Sequence, residues 1–418
     1  MKLSISYKAI PGDTFESISR KNYGSENFTD LIKQSNPGLE EPFSPGISIT
    51  IPDQPDAPKT ISQTDQLAND KNEAALMING KRFRFWDSVR ITRSIDAMDL
   101  IDFGAPFEEN NNEFRSIFRP MSYQSASFTV GGELLFSGTL ISINPLIDKK
   151  KKTIIVSGYS LPGVLNDCTA PASAYAHQYS LEFVNQGLAN IATKVSSFFG
   201  ISVDFQTDQG ATFEQVALEP SRKVLAFLSN LAQKKNIIIS STPDGKLLFQ
   251  KSIDSGVPVA KLKQGESPVV SVIPFLNPQE YYSHITGIVP NSIGVDGPPY
   301  TKKNEHLNGI IRPLTFLVPD TEAGDIELAT NAKTGRMFAN AISYDVFVDT
   351  WRDSSGKLWE PNTIINLLAP GAMVYNDYSF LIRRVTFEKT FDSEVAVLSL
   401  VIPGSFSGKI PKELPWEE

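Results

Sequence analysis

Few residues in this sequence could carry chemistry, and their spacing limits what they can do. Gly158-Tyr159-Ser160-Leu161-Pro162-Gly163 approaches a nucleophile elbow, in which a serine on a tight strand-to-helix turn is presented to a general base. Its second glycine falls one residue late, so the stretch is read as a strand ending in a turn. His177, His284 and His306 share no metal-ligand spacing, and Gly or Pro lies near two of them, which makes loop histidines of them. Cys168 follows Asn166-Asp167 with no cationic neighbour, so it is expected to be a buried small hydrophobe and not an activated thiolate. As the single cysteine it also excludes an intrachain disulfide and a cysteine-built zinc cage. The pair Glu108-Glu109 lies in polar sequence where both carboxylates are solvated. There is no Walker loop, and no Gly-x-Gly-x-x-Gly follows a strand. No catalytic constellation emerges: the chain is expected not to be an enzyme and to need no cofactor or metal.

Composition points the same way. The formal net charge of −8 argues against a grip on nucleic acid, which needs clustered Lys and Arg. Lys149 to Lys152 is the exception, and a charged hairpin tip ahead of Thr153-Ile154-Ile155-Val156 accounts for it. A chain of 418 residues is too long for one ordinary core, and 26 phenylalanines suit several small β-cores. No run approaches the roughly 20 apolar residues of a membrane span, and Met1 to Lys8 lacks a signal core. The chain is expected to be made in the cytoplasm and to stay soluble.

Local pattern then supplies the elements. Ser4 to Ile10 alternates like a strand, Pro11-Gly12-Asp13-Thr14 turns, and Asp13 or Thr14 can cap a helix that turns Phe15, Ile18 and Ser19 inward. A second helix fits Phe28 to Ser35 and is stopped by Asn36-Pro37-Gly38, after which Pro45-Gly46 opens a closing strand, Ile47 to Ile51. Tyr7, Gly12-Asp13-Thr14-Phe15, Ile18, Tyr23-Gly24, Leu31, Asn36-Pro37, Pro45-Gly46 and Ile49 to Pro52 together make residues 1–52 resemble a LysM module. That resemblance implies recognition of N-acetylglucosamine-containing glycan, or docking, through two loops: Gly12, Asp13, Thr14 and Phe15, then Asn36, Pro37 and Gly38. Gly and Asn at these places also serve the turns themselves.

Residues 53–73 are rich in Pro, Asp, Gln and Asn and read as a linker. The body begins near Ala74. Phe85 to Ile95 places Phe85, Asp87, Val89, Ile91 and Arg93 on one side of a strand, Phe103 to Phe118 looks like a surface loop, and Phe128 to Val130, Glu133 to Ile143 and Thr153 to Tyr159 are further strands. Helical spacing appears only in the middle, from Ser180 to Gly200 and again after Ser221. Ile237 to Ser241, the turn Thr242-Pro243-Asp244-Gly245 and Lys246 to Gln250 form a hairpin. Val269 to Ile273 and Ser283 to Val289 are strands, Asn291 to Asn304 a polar loop, and Asp325 to Ala341 a helix with Leu328, Ala332, Gly335 and Ala339 on a small-residue face. Five strands follow between Tyr344 and Ile402. The last, Val395 to Ile402, is apolar on both faces and needs a cover, from this chain or another. Gly404 to Glu418 has no period and is read as an exposed arm.

As an ordered set, Trp86 to Ile95, Val156 to Ser160 running into Leu165-Asn166-Asp167-Cys168, Phe227 to Ala232 leading to Asp244 to Phe249, and Leu358 to Thr363 resemble the baseplate hub proteins of phage tails. This is the family of the phage Mu hub and late control protein D. The resemblance implies a β-rich α+β multidomain fold: an N-terminal βααβ LysM module, then two small β-barrel domains separated by α/β elements. Domains are expected at 74–160 (first barrel), 161–255 (α/β), 256–342 (strand-rich with a helix), 343–404 (second barrel) and 405–418 (arm). It also implies a homotrimeric ring in the tail baseplate of a virion. Its partners would be a spike or tip protein, the tail tube or its initiator, and other baseplate subunits docked by LysM, with peptidoglycan as a further ligand. DNA would pass the lumen without specific binding. The rival reading is a cell-wall-binding protein or peptidoglycan hydrolase accessory targeted by LysM.

Overall fold

The computed structural model describes the chain apart from residues 1–4, 24–28, 53–71, 148–151, 176–180, 292–293, 296–297, 319–324, 391 and 418. Nearly all of the expected linker, Lys149 to Lys151, His177, Phe28 and the Ser180 cap therefore lie outside the described residues. Strands dominate, and the helices are few. The chain forms two compact units, one of Met1–Val89, Asp102–Ser157 and Thr390–Asp392, the other of Arg90–Ile101, Gly158–Lys389 and Ser393–Glu418.

In the first unit, the N-terminal residues have strand-helix-helix-strand order. Ile5–Lys8 pairs antiparallel with Ser48–Ile51, and helices Phe15–Tyr23 and Thr29–Ser35 lie between them in sequence. Thr14 and not Asp13 caps the first helix. Ser17 donates its N–H to Thr14 Oγ1 at 3.1 Å and its Oγ receives the Thr14 N–H at 2.9 Å, a reciprocal capping box. Phe15, Ile18, Ile32, Phe43, Ile49 and Ile51 close a small core. Further along, Lys81–Phe83, Ala74–Ile78, Ser125–Val130 and Glu133–Ile147 are successive antiparallel neighbours. Asn79 and Gly80 both take positive φ, 51° and 74°, as a two-residue hairpin turn demands. Leu76, Ile78, Ala126, Phe128 and Val130 are buried at period two.

The expected surface loop Phe103 to Phe118 is instead part of the core. Strand Leu100–Pro106 and helix Asn112–Ile117 occupy it, and Phe83 lies 6.0 Å from Phe103, 6.0 Å from Phe114 and 5.5 Å from Phe118, centroid to centroid. The acidic residues between these aromatics masked an apolar spacing that buries all four rings.

The second unit holds the C-terminal strands. Glu394–Val401 runs between Ile342–Val348 and Val374–Thr390, antiparallel to both. Val374–Thr390 also pairs through its first half with Ile364–Ala369. Ala396 to Val401 are all buried, and the cover they need comes from this chain: Val401 packs with Ala339 and Phe406 in one cluster, while the buried Trp351 donates its indole N–H to the Val395 carbonyl at 3.0 Å. No neighbouring subunit is required for that strand.

The middle segment corrects the first helix. Leu181–Gln186 is a strand paired with Phe213–Leu218, and the helix starts only at Leu188 and runs to Ser197. The three-to-four spacing of Leu181, Val184 and Leu188 was coincidental, since Val184 faces solvent and Phe183 alone of the strand is buried. Gln209 caps the helix from outside, its Oε1 accepting the Ala189 N–H at 3.0 Å. The second helix, Val224–Lys234, has Lys223 at its N-cap and not Ser221. The hairpin forms as expected from Ile238–Ser241 and Leu247–Gln250.

Strand His284–Ile288 is central in a three-stranded sheet, antiparallel to Tyr300–Lys303 and parallel to Pro313–Leu317. Two readings change with it: Tyr300–Lys303 is a strand within the expected polar loop, and His284 lies on a strand. Helix Asp325–Ala341 packs against this sheet and against the C-terminal residues. A Cβ placed on Gly335 would lie 2.3 Å from the Ser405 carbonyl oxygen, and one on Gly408 would lie 2.6 Å from the Asn331 carbonyl carbon. Those approaches, with Phe406 and Leu414 buried, overturn the expected exposed arm over 405–418. Its few apolar residues carry no period because they are seated singly, in glycine-lined contacts.

Candidate functional site

Of the two loops singled out in the N-terminal residues, the first is packed against the segment that follows the second. The Phe15 backbone N–H donates to the Glu41 carboxylate, and the Phe15 ring meets Phe43 edge-on with centroids 4.7 Å apart, so the loop after the first strand abuts the segment after the second helix. Within this arrangement the seven residues divide. Asp13, Phe15 and Asn36 are buried, Gly12, Pro37 and Gly38 are exposed, and Thr14 is half-buried.

Asp13 is fully engaged. Its Oδ2 accepts from the Tyr7 hydroxyl at 2.7 Å and the Ile10 N–H at 2.9 Å, and its Oδ1 accepts from Lys21 Nζ at 2.7 Å. Burial alone would raise this carboxyl, but the hydrogen bonds from Lys21, Ile10 and Tyr7 outweigh it and hold the carboxyl below its ordinary range. Burial, and then the bond to Asp13, push the Tyr7 phenol upward. Asn36 joins helix to strand: its Nδ2 donates to the carbonyls of Ile32 at 2.8 Å and Thr50 at 2.6 Å, and its Oδ1 accepts the Thr50 N–H at 2.7 Å. Gly12 and Gly38 sit at φ of 91° and 90°, where a side chain would be strained. What remains for a ligand is the exposed backbone of Gly12, Pro37 and Gly38, with the Thr14 side chain at its margin.

A second polar cluster, in the other unit, was not found from sequence. Ser160 stands at a true strand-to-helix turn, after Lys152–Ser160 and before the 3-10 turn Leu161–Gly163 and helix Val164–Asp167. Its side chain is buried, however, and its hydroxyl pairs with Ser241 Oγ at 2.8 Å. Ser241 Oγ also receives the Asp99 N–H at 2.9 Å, and Asp99 Oδ2 lies 3.4 Å from Arg93 Nε. At that distance the charges attract, yet neither Asp99 oxygen nor Arg93 Nε has an aligned hydrogen bond. Burial pushes the Asp99 carboxyl up to about 7, against the opposing pull of Arg93. Among the described residues no histidine joins Ser160, and a buried hydroxyl offers no approach to a substrate. One sequence signal did exist: Arg93 falls on the same side of its strand as the buried Val89 and Ile91, and an inward charge requires a partner.

The other chemistry-bearing residues are structural in place. His306 donates from Nε2 to the Pro411 carbonyl at 2.7 Å and anchors the C-terminal residues. Cys168 is half-buried, more open than expected, and its backbone links helix Val164–Asp167 to Val224. Glu109 is solvated and pairs with Lys152. Among the described residues no group of three or more His, Cys, Asp or Glu could hold a metal, and no helix is long and apolar enough to cross a membrane.

Residues 162–251, which contain the middle segment with its two helices and hairpin, match the family model for the baseplate hub protein gp44-like, second domain. The chain resembles phage baseplate hub proteins. The hub-like chain is 22% identical over 310 residues to the baseplate hub protein gp44 of Escherichia phage Mu, across 71% of this chain and 79% of that one. In fold it is similar to the 43 kDa tail protein of prophage MuSo2 from Shewanella oneidensis, with a TM-score of 0.68 at 24% identity over 80% of this chain and 99% of that chain. It is likewise similar to a tail protein from Neisseria meningitidis MC58, with a TM-score of 0.67 at 18% identity over 81% and 98%. The hub resemblance drawn from short motifs is thereby shown; the likeness to the solved tail proteins is one of fold.

Proposed function

We propose that this hub-like chain is a structural component of a phage tail baseplate: a homotrimeric ring that joins the tail tube to a central spike. DNA crosses its lumen without specific binding, and residues 1–52 form a LysM module that docks on neighbouring baseplate subunits. The observation that carries the reading is the likeness to the Mu hub along 310 residues, together with the match of residues 162–251 to the gp44-like second domain. Two β-barrels flanking that domain are part of the same proposal.

Assembly has physical support in strand Val269–Leu276, which stands at one end of its sheet's strand order. Val270 is 63% exposed and Phe275 50%, with Ile273 and Leu276 also open. An apolar edge strand left in water invites pairing, so an oligomer that covers it is the economical outcome. The net charge of −8 suits a conduit to which DNA does not adhere. In the N-terminal residues, Asp13 and Asn36 are spent on internal bonds, which favours docking over glycan capture.

Light scattering on the full chain tests the reading. A mass three times the 46.0 kDa chain is expected, falling toward one chain in Val270→Lys with Phe275→Lys. A chain that stays monomeric both alone and with its spike and tube proteins would refute it. Tight retention on purified peptidoglycan, lost when residues 1–52 are deleted, would favour wall binding instead.

A further inference from the structure

Helix Asp325–Ala341 turns Ala332, Lys333 and Arg336 toward a cavity of about 260 Å³, whose other walls include Phe316, Leu317 and, from the last turn of helix Val224–Lys234, Lys234. Three cations thus converge in a chain that is acidic as a whole. The last-turn position of Lys234 is explained by the helix dipole, which favours a cation there. Arg336 has no such explanation, because it lies before the last turn of its own helix.

The charges around Arg336 do not balance. It is partly buried, and among the described residues it makes no hydrogen bond or ion pair. Asp96 is the carboxylate whose field reaches it, but that carboxylate already holds Arg383, whose Nε and Nη2 lie 3.2 Å and 2.8 Å from Oδ2, and the Ser94 hydroxyl at 2.7 Å. Two guanidiniums share one carboxylate. Desolvation lowers the Arg336 pKa, Asp96 opposes that and Arg383 adds to it, as expected where an anion is lacking.

We propose that this cavity is a docking pocket for an acidic side chain of a protein partner, whose carboxylate meets Arg336 and Lys333 while an adjoining apolar residue rests on Phe316 and Leu317. A planar guanidinium matches a carboxylate in two-point contact, and Lys333 adds a mobile second charge. The apolar wall and a half-open volume of about 260 Å³ suit one side chain from a folded or extended peptide. A nucleic-acid backbone would need a row of cations along an open track, and the chain's net charge of −8 repels it. Neither the trimer nor the hub reading is needed for this pocket.

The test is calorimetric titration of the full chain with a short uncharged-flank peptide carrying one Glu between two Leu residues. Controls are the same peptide with Gln for Glu, inorganic phosphate and a short oligothymidylate. The Glu peptide is expected to bind, and binding should weaken at least about tenfold in the Gln peptide, in Arg336→Met and in Lys333→Glu. Lys333 is exposed, so Lys333→Glu tests the pocket even if Arg336→Met fails to fold. Competition by phosphate would support the pocket. Equal binding of the Glu and Gln peptides, no binding of either, or preference for the oligonucleotide would overturn the proposal. So would binding that emerges only after Asp320→Asn with Glu322→Gln, since the chain's own carboxylates would then be the occupants.

Discussion

Asn36 and Thr50 hold each other by a two-way bond, the Asn36 amide donating to the Thr50 carbonyl at 2.6 Å and accepting the Thr50 N–H at 2.7 Å. One side chain thus fastens the end of the second helix to the closing strand. Asn36→Ala is expected to leave the Thr50 N–H and carbonyl without this partner and, because Thr50 is exposed and water can replace the amide in part, to cost roughly 1–3 kcal/mol of local stability. Amide hydrogen exchange at Thr50 and its neighbours reads this directly. Unchanged protection would leave Asn36 free for ligand contact.

Asp13 gives the N-terminal residues a pH dependence of known sign. Its folded pKa is depressed, so its contribution is complete above the unfolded value of about 4 and is lost as pH falls through the folded value. Thermal unfolding followed between neutral pH and about pH 2 should show this loss in the wild type. Asp13→Asn should start less stable and change less over that range. An identical slope in both proteins would mean that another group controls it.

Asp99 runs the opposite way. Its folded pKa is raised to about 7, so the native state holds the proton more tightly than the unfolded chain. Between the unfolded value of about 4 and about 7, each rise in pH therefore subtracts from stability at this site. Asp99→Asn should flatten the dependence and gain most, relative to wild type, at pH above about 7. Urea midpoints at pH 5 and pH 8, measured for both proteins, decide it, and a wild type insensitive to pH over that interval would contradict it.

Gly335→Ala places a methyl group 2.3 Å from the Ser405 carbonyl oxygen. The helix would gain about 1 kcal/mol of intrinsic propensity, but backbone must move to admit the Cβ, at a cost of about 1–3 kcal/mol. Residues 405–417 should then detach more often, and limited proteolysis should cut there faster than in wild type. A variant as resistant as the parent would show that the helix shifts without loosening its neighbour.

Much of the architecture could be read from local pattern. The Asp244-Gly245 hairpin, the helix Asp325–Ala341 and four of the five strands expected after it announce themselves through turn residues and period, whereas Leu358-Trp359, the remaining one, makes only an isolated bridge from Leu358 to Arg352. What failed had a common cause, in that burial was decided by partners distant in sequence. Phe103, Phe114 and Phe118 are buried because Phe83 meets them, and Leu181–Gln186 is a strand because Phe213–Leu218 pairs with it. The turns at Gly12 and Gly38 were legible as turns, whereas the burial of Asp13 and Asn36 depends on Tyr7, Lys21 and Thr50, which sequence does not rank as contacts.

Strand Glu394–Val401 has a mechanical consequence. Because it is bonded along both sides, to Ile342–Val348 and to Val374–Thr390, a force applied along its axis loads many backbone hydrogen bonds at once. They must break together in shear, whereas the edge strand Val269–Leu276, bonded on one side, can peel away one bond at a time. Under tension this end of the chain should therefore behave as a stiff girder with one compliant margin.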